Sequence, residues 1–234
     1  MQVFYAPDIT GEYYTLDERE SKHTVRVLRM VEGSEIKLID GKGNLYEGVI
    51  SDPDQRACKI RVLDVIKGFE KRDYRLHIGI SPLKNLERFE WFVEKSVEIG
   101  IDEITPIICH HTEKQGLKPE RLNNIIISAM KQSLKASSTK LNPACEFKDF
   151  IISSNPGTLM IAHCNNGYER KSIGEVYQRG SDAVILIGPE GDFSEEEIIK
   201  AVNNGFIPVS LGKSRLRTET AGVAACHSIY FINQ

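Results

Sequence analysis

Long apolar runs are missing from this sequence. No stretch approaches the roughly 20 residues that a bilayer-spanning helix needs, and the opening MQVFYAPDITGEYY has neither the basic nor the apolar region of a secretory signal. A cytoplasmic protein without a membrane partner is expected. Cysteine is sparse: Cys58, Cys109, Cys145, Cys164 and Cys226 are an odd number with no CxxC spacing, which argues against a disulfide framework or paired zinc ligands. Three of them adjoin a histidine (Cys109-His110-His111, His163-Cys164, Cys226-His227), but neighbours on a strand point to opposite faces, so no metal site is expected. Charge of one sign is also lacking. Lys and Arg total 30 against 33 Asp and Glu, a net charge of −3, so nucleic-acid binding would have to come from a local patch. What is present is an ordinary globular balance, 41% hydrophobic and 27% charged over 234 residues, enough for one large domain or two small ones.

Residues 1–72 carry short alternating segments separated by turn chemistry: Ile36 to Ile39, Asp40-Gly41 and Gly43-Asn44, Tyr46 to Ile50, Ser51-Asp52-Pro53-Asp54, then Cys58 to Ile66. That pattern predicts a β-meander or small barrel. Thr15 and Glu18 have capping-box spacing and predict a helical insert before it. A polar stretch, Lys67 to Arg72, marks the domain boundary. From Tyr74 the pattern becomes strand and helix in alternation: strands at 74–80, 103–108, 158–162, 183–187 and 206–211, helices at 87–99, 119–137, 195–204 and 219–232. Such alternation predicts an α/β domain with a parallel sheet over 73–234.

Three segments concentrate chemistry. The first, Ile187-Gly188-Pro189-Glu190-Gly191-Asp192-Phe193-Ser194, leaves a strand and opens a helix; its glycines let backbone approach a ligand, while Ser194 and Glu197 read as an ordinary helix cap. The second runs from Leu211 to Gly222 through Gly212, Lys213, Arg215, Leu216, Arg217, Thr218, Glu219 and Thr220, again between a strand and a helix. His163-Cys164-Asn165-Asn166 adds a further loop on the same edge. Parallel sheets bind ligands beyond the carboxyl ends of their strands, so these loops predict one pocket. The third segment, Lys22 to Arg29 with Arg26, is a local positive patch; it suits phosphates and unpaired bases, or else pairs with Glu18, Glu20 or Glu32 as a plain surface. Lys84 and Arg88 leave the same two readings open.

In order along the chain, HTVRVLRM, KNLERFEWFVEKSVEIGIDEITPI, ERLNNIIISAMKQSLKASSTKLNP, LIGPEGDFSEEE and LGKSRLRTETAGVAA resemble the RsmE family of small-subunit rRNA methyltransferases, within the SPOUT superfamily. The resemblance spans nearly the whole chain. It implies an N-terminal PUA-like β-barrel that binds RNA (1–72) and a C-terminal α/β domain (73–234) with a trefoil knot, although general topology rules disfavour knots. It also implies a homodimer that methylates N3 of one uridine in 16S rRNA with S-adenosylmethionine.

On that resemblance His163, Gly188, Gly191, Leu211, Gly212, Leu216 and Thr220 bind the cofactor. Glu190 is the candidate base for the N3 proton; Arg217, Thr218 and Glu219 orient the uracil or stabilise its developing oxygen charge. Lys22, Arg26, Arg29 and Lys84 contact RNA. The chain departs from the family pattern at Asp192, where a second glycine is usual, at Lys135 in place of arginine, at Gln2 or Val3 in place of an early arginine, and at Arg215 in place of an apolar residue. Two other functions stay open: another SPOUT reaction such as ribose 2′-O-methylation, and a non-catalytic RNA-binding assembly factor. An unrelated phosphate-loop enzyme is disfavoured, because neither GxxxxGKS/T nor GxGxxG occurs.

Overall fold

The computed structural model describes residues 2–113, 116–153, 156–165 and 167–234. They divide into two units, Met1–Lys71 with Ile127–Ser138, and Arg72–Ile126 with Thr139–Gln234. Residues 127–138 thus group with the N-terminal unit, an excursion that a linear boundary does not express.

The first unit holds β1 (Val3–Tyr5), β2 (Tyr13–Thr15), a short α1 (Glu18–Lys22) that runs into a π-helical turn (His23–Val27), then β3 (Glu35–Ile39), β4 (Asn44–Asp52) and β5 (Lys59–Lys67). The strands form one sheet in the order β1-β3-β4-β5-β2. Only β1 and β3 run parallel. Alternating apolar positions of the strands bury Phe4, Ile36, Leu38, Ile50 and Ile60 in one core, as period-two patterning requires. The β3–β4 turn is organised by Asp40, whose carboxylate accepts from the Lys42 and Asn44 backbone N–H groups at 2.7 and 3.0 Å, from Asn44 Nδ2 at 2.6 Å and from the Tyr46 hydroxyl at 3.3 Å.

The second unit contains β6 (Leu76–Ile80), α2 (Leu86–Ile99), β7 (Glu103–Ile108), β8 (Lys140–Leu141), β9 (Cys145–Glu146), α4 (Phe147–Ile152), β10 (Thr158–Ala162), β11 (Lys171–Ser172), α5 (Ile173–Val176), β12 (Ala183–Ile187), α6 (Glu195–Asn203), β13 (Ile207–Ser210) and α7 (Thr218–Ile232). Helix α3 (Pro119–Gln132) runs from this unit into residues that group with the first. All strand pairs of the second sheet are parallel, in the order β11-β13-β10-β12-β6-β7-β8, with β9 also against β7. Central strand β12 is buried along its whole length, the mark of a strand covered on both faces. One core cluster joins Ile107, Phe150, Leu186, Phe193, Ile198 and Phe206. Helix α2 buries Phe89, Phe92, Val93, Ser96 and Val97, the face that its periodicity predicts.

Two predicted details are corrected. The α1 cap is Asp17, whose carboxylate accepts from Glu20 N at 2.7 Å; Thr15 instead pairs with Lys59 as the last residue of β2. Helix α3 ends at Gln132, not 137, because Leu134 takes φ +59°. Leu134 N then donates to Lys131 O and Lys135 N to Met130 O, a Schellman closure with leucine where glycine is usual.

Candidate active site

The loops that leave β10, β12 and β13 enclose a cavity of about 280 Å³. Its wall takes His163, Cys164 and Arg170 from the first loop, Gly188, Pro189, Glu190 and Asp192 from the second, and Leu211, Gly212, Arg215, Leu216 and Arg217 from the third. Strand ends Ile187 and Val209 add apolar surface, and Thr218 and Ala221 bring the first turn of α7 to it. That turn lacks a side-chain cap: Arg217, the N-cap, makes none, so amides there remain for other acceptors. At Gly212 φ is +121°, a backbone conformation that a side chain would strain.

His163 is a buried polar group of the wall, 5% exposed, as is Thr218. Among the described residues, neither of the His163 ring nitrogens has a hydrogen-bond partner. Tyr168 meets its ring edge-on at 5.4 Å, and Arg170 donates to its carbonyl oxygen at 2.6 Å. Burial lowers the imidazole pKa; Asp192 opposes that shift and Arg170 reinforces it. The neutral ring therefore offers one donor and one acceptor to the cavity.

Glu190 lies exposed in the wall, and its Oε1 accepts from Lys84 N at 3.2 Å. The Lys84 ammonium itself pairs with Glu113 at 2.9 Å. Behind the wall Glu219 is 7% exposed, with Oε1 3.8 Å from Arg88 Nε and its other oxygen without a hydrogen-bond partner among the described residues. Ser194 and Glu197 form the capping box of α6, and Glu197 also accepts from His110 N at 2.8 Å, so their part in the loop is structural.

Of the residues expected to bind cofactor, His163, Gly188, Leu211, Gly212 and Leu216 line the cavity, while Gly191 and Thr220 do not. Thr220 is exposed, displaced around the helix from Thr218 and Ala221, which are three residues apart on one face. Gly191 is confined by His111, whose Cβ lies 3.1 Å from the position a Gly191 side chain would occupy. Of the catalytic candidates, Glu190, Arg217 and Thr218 are in the wall and Glu219 is not. Asn166 lies outside the described residues. Cys164 and Pro189 lie in the loops that the sequence assigned to the pocket, though with no role of their own, whereas sequence reasoning missed Arg170, which no motif marks.

In the first unit Lys22, Arg26 and Arg29 are exposed. None of the three forms an ion pair among the described residues; Arg26 Nε donates to Gln55 Oε1 at 2.5 Å, and Glu20 pairs with Lys131 at 2.6 Å instead. Arg29 holds φ +55°. Those observations weaken the plain paired-surface account of the patch.

An RNA methyltransferase domain family model matches residues 70–230, and an RNA methyltransferase PUA domain model matches residues 16–63. A solved structure described as a probable rRNA-methyltransferase from Porphyromonas gingivalis is 42% identical, with TM-score 0.94, covering 100% of this chain and 98% of that one. Another, described as a ribosomal RNA small subunit methyltransferase E from Neisseria gonorrhoeae bound to S-adenosyl methionine, is 26% identical, with TM-score 0.86, covering 99% and 98% of the two chains. The ribosomal RNA small subunit methyltransferase E of Aquifex aeolicus is 27% identical over 229 residues, covering 96% of each chain.

Proposed function

The chain belongs to the RNA methyltransferase domain family, and we propose that it transfers a methyl group from S-adenosylmethionine to N3 of a uridine in the 16S rRNA of the small ribosomal subunit. The observation that carries this reading is the cavity wall around His163. A buried polar ring without partners costs free energy until a ligand supplies them, and here the ring stands among loops at the carboxyl ends of parallel strands. Ile187, Val209, Leu211 and Leu216 offer apolar surface to adenine, and the donor and acceptor of His163 suit the polar edges of the same ligand. The residues present therefore fit the cofactor.

When bound, the cofactor supplies an electrophilic methyl group on a sulfonium. Uracil N3 holds a proton at neutral pH that must leave as the methyl arrives. Glu190 accepts that proton, with Lys84 N fixing one of its carboxylate oxygens. Arg217, Thr218 and the uncapped amides of α7 stabilise charge as it develops on O2 or O4. Glu219 acts from behind the wall, orienting the first turn of α7 through its pairing with Arg88 in α2.

Residues 1–72 serve as the RNA-binding domain and 73–234 as the catalytic domain. We read the five-stranded sheet as a PUA-like barrel and the parallel-sheet unit as a knotted SPOUT fold. Lys22, Arg26, Arg29 and Lys84 hold RNA. The protein works as a homodimer, a reading supported by Phe231 of α7, 69% exposed and stacked on His227 at 6.1 Å. It acts in the cytoplasm; no described helix is long and apolar enough to cross a membrane.

Labelled methyl transfer to small subunits that lack the modification, followed by chromatography and mass analysis of the digested RNA, tests the proposal. 3-Methyluridine is the expected product. A ribose-methylated nucleoside would favour the 2′-O reaction, and no transfer together with no cofactor binding would favour an RNA-binding assembly factor.

A further inference from the structure

Asp192 holds φ +65°, a left-handed backbone that residues other than glycine take where their surroundings impose it. Its Oδ2 accepts from Cys164 N at 2.7 Å, across to the loop after β10. Its Oδ1 accepts from Phe193 N at 2.8 Å, within its own loop. His111 Nδ1, from the loop after β7, donates to its carbonyl oxygen at 2.9 Å. One residue thus ties three loops together, and it stands in the cavity wall with His163 and Cys164.

We propose that Asp192 is a positioning residue: its carboxylate clasps the loop that carries His163 to the loop that carries Glu190, and so presets the cavity before the cofactor enters. The inference rests on the cofactor assignment above. A carboxylate is a stronger acceptor for a backbone N–H than a neutral group, and Cys164, the residue it grips, is exposed. Without the clasp the Cys164 amide turns to water and His163 loses its fixed place. A ligand then binds only the fraction of molecules whose loop is still in position, and its apparent affinity falls by that fraction.

Three variants separate the possible roles. Asp192→Gly relieves the backbone but removes the acceptor. Asp192→Asn keeps an acceptor, tolerates the left-handed conformation and removes the charge. If only backbone conformation mattered, the glycine variant would bind as well as wild type; if only negative charge mattered, the asparagine variant would fail as badly as the glycine one. Asp192→Ala, which keeps the strain and loses the acceptor, should match or fall below glycine.

The test uses calorimetric titration of the full chain with S-adenosylmethionine and, separately, S-adenosylhomocysteine, and amide hydrogen exchange of the ligand-free proteins at the peptide containing Cys164. The expected result is a loss of about tenfold in affinity for both ligands in the glycine variant, corresponding to a clasped fraction near a tenth. Exchange at Cys164 should be faster in that variant without ligand, and the asparagine variant should stay within about threefold of wild type. Wild-type affinity or unchanged Cys164 exchange in Asp192→Gly overturns the clasp, as does an asparagine variant as weak as glycine. Wild-type protein that binds neither ligand overturns the cofactor assignment itself, which the exchange measurement distinguishes because it is read without cofactor.

Discussion

Replacing Gly222 by alanine tests how α7 is seated and what that seating does for the site. A methyl group on Gly222 would lie 2.5 Å from Phe92 Cε2, 2.6 Å from Phe92 Cδ2 and 3.1 Å from Ile80 Cδ1, where carbon atoms ordinarily rest about 3.5–4.0 Å apart. Phe92 and Ile80 are both fully buried, so the ring has no solvent to turn into and α7 must lift away from α2 or β6. Overpacking of this kind costs about 1–3 kcal/mol. The better helix propensity of alanine returns about 1 kcal/mol of that. Contacts as short as 2.5 Å place this site at about 2–3 kcal/mol within that range, so a net loss of about 1–2 kcal/mol lowers Tm by roughly 2–8 °C in a chain of this length. Because Thr218 and Ala221 of the same helix line the cavity, affinity for S-adenosylmethionine should fall with Tm.

Gly174 provides the opposite case. A methyl group added there would meet no atom within 4 Å, and its φ lies outside the left-handed region, so Gly174→Ala should stabilise by about 0.4–1 kcal/mol through the unfolded chain alone. Thermal unfolding followed by far-ultraviolet circular dichroism, with calorimetric titration of the cofactor, measures both variants. A Gly222→Ala protein that melts at or above wild type, or that shifts in the same direction as Gly174→Ala, refutes the packing argument.

The remaining predictions address the site and the first unit. Glu190→Gln should lower turnover by about 10²–10⁴-fold while S-adenosylmethionine affinity stays unchanged by calorimetry; full turnover removes Glu190 as base. His163→Leu should raise Tm, since it removes buried ring nitrogens that have no hydrogen-bond partner among the described residues, and weaken cofactor binding by about tenfold; loss of both Tm and affinity would mean the ring is structural. Burial raises the Asp40 pKa, but bonds from Asn44, Lys42 and Tyr46 outweigh it, and the net value lies below the ordinary 3.8. A depressed carboxylate stabilises above its unfolded pKa and loses that contribution as pH falls through its folded one. Chemical unfolding from pH 7 downward should therefore show a smaller acid loss in Asp40→Asn, beginning below about pH 4; an equal acid loss in both proteins counters the assignment.

Much of the second unit was legible because its chemistry is local. Ala183–Ile187 is an unbroken apolar run between turn residues, and Ser194 with Glu197 announces the start of α6. Where a local signal met a long-range one, the sequence alone misassigned the boundary. Capping-box spacing pointed to Thr15, but its pairing with Lys59, a long-range contact that spacing does not contain, takes it into β2 and leaves Asp17 as the cap of α1. The end of α3 had no visible signal, since Leu134 performs a turn that composition assigns to glycine or asparagine. The cavity followed the loops that strand ends predict, but membership of its wall depended on helical phase, which separates Thr220 from Thr218, and on packing by His111, which holds Gly191 aside.

Gly188 and Gly191 of these loops, and Gly222 of α7, serve the scaffold more directly than the ligand. Added Cβ atoms would meet the Phe193 ring at 3.1 Å from Gly188, His111 at 3.1 Å from Gly191 and the Phe92 ring at 2.5 Å from Gly222. At Gly188 and Gly222 that smallness is consumed by the buried Phe193 and Phe92 rings, as close packing requires, and at Gly191 by the exposed His111 side chain. Hydrogen-bonding capacity left for a ligand resides elsewhere, in the unpartnered nitrogens of His163 and in the uncapped first turn of α7. It follows that glycine substitutions should register in stability as well as in binding, whereas changes at His163 should separate the two. A motif read only as a ligand cradle would predict the reverse: large binding losses at Gly188 and Gly191 with unfolding unchanged. Measuring Tm and cofactor affinity on Gly191→Ala distinguishes these accounts, and a variant that melts like wild type but fails to bind would overturn the packing interpretation.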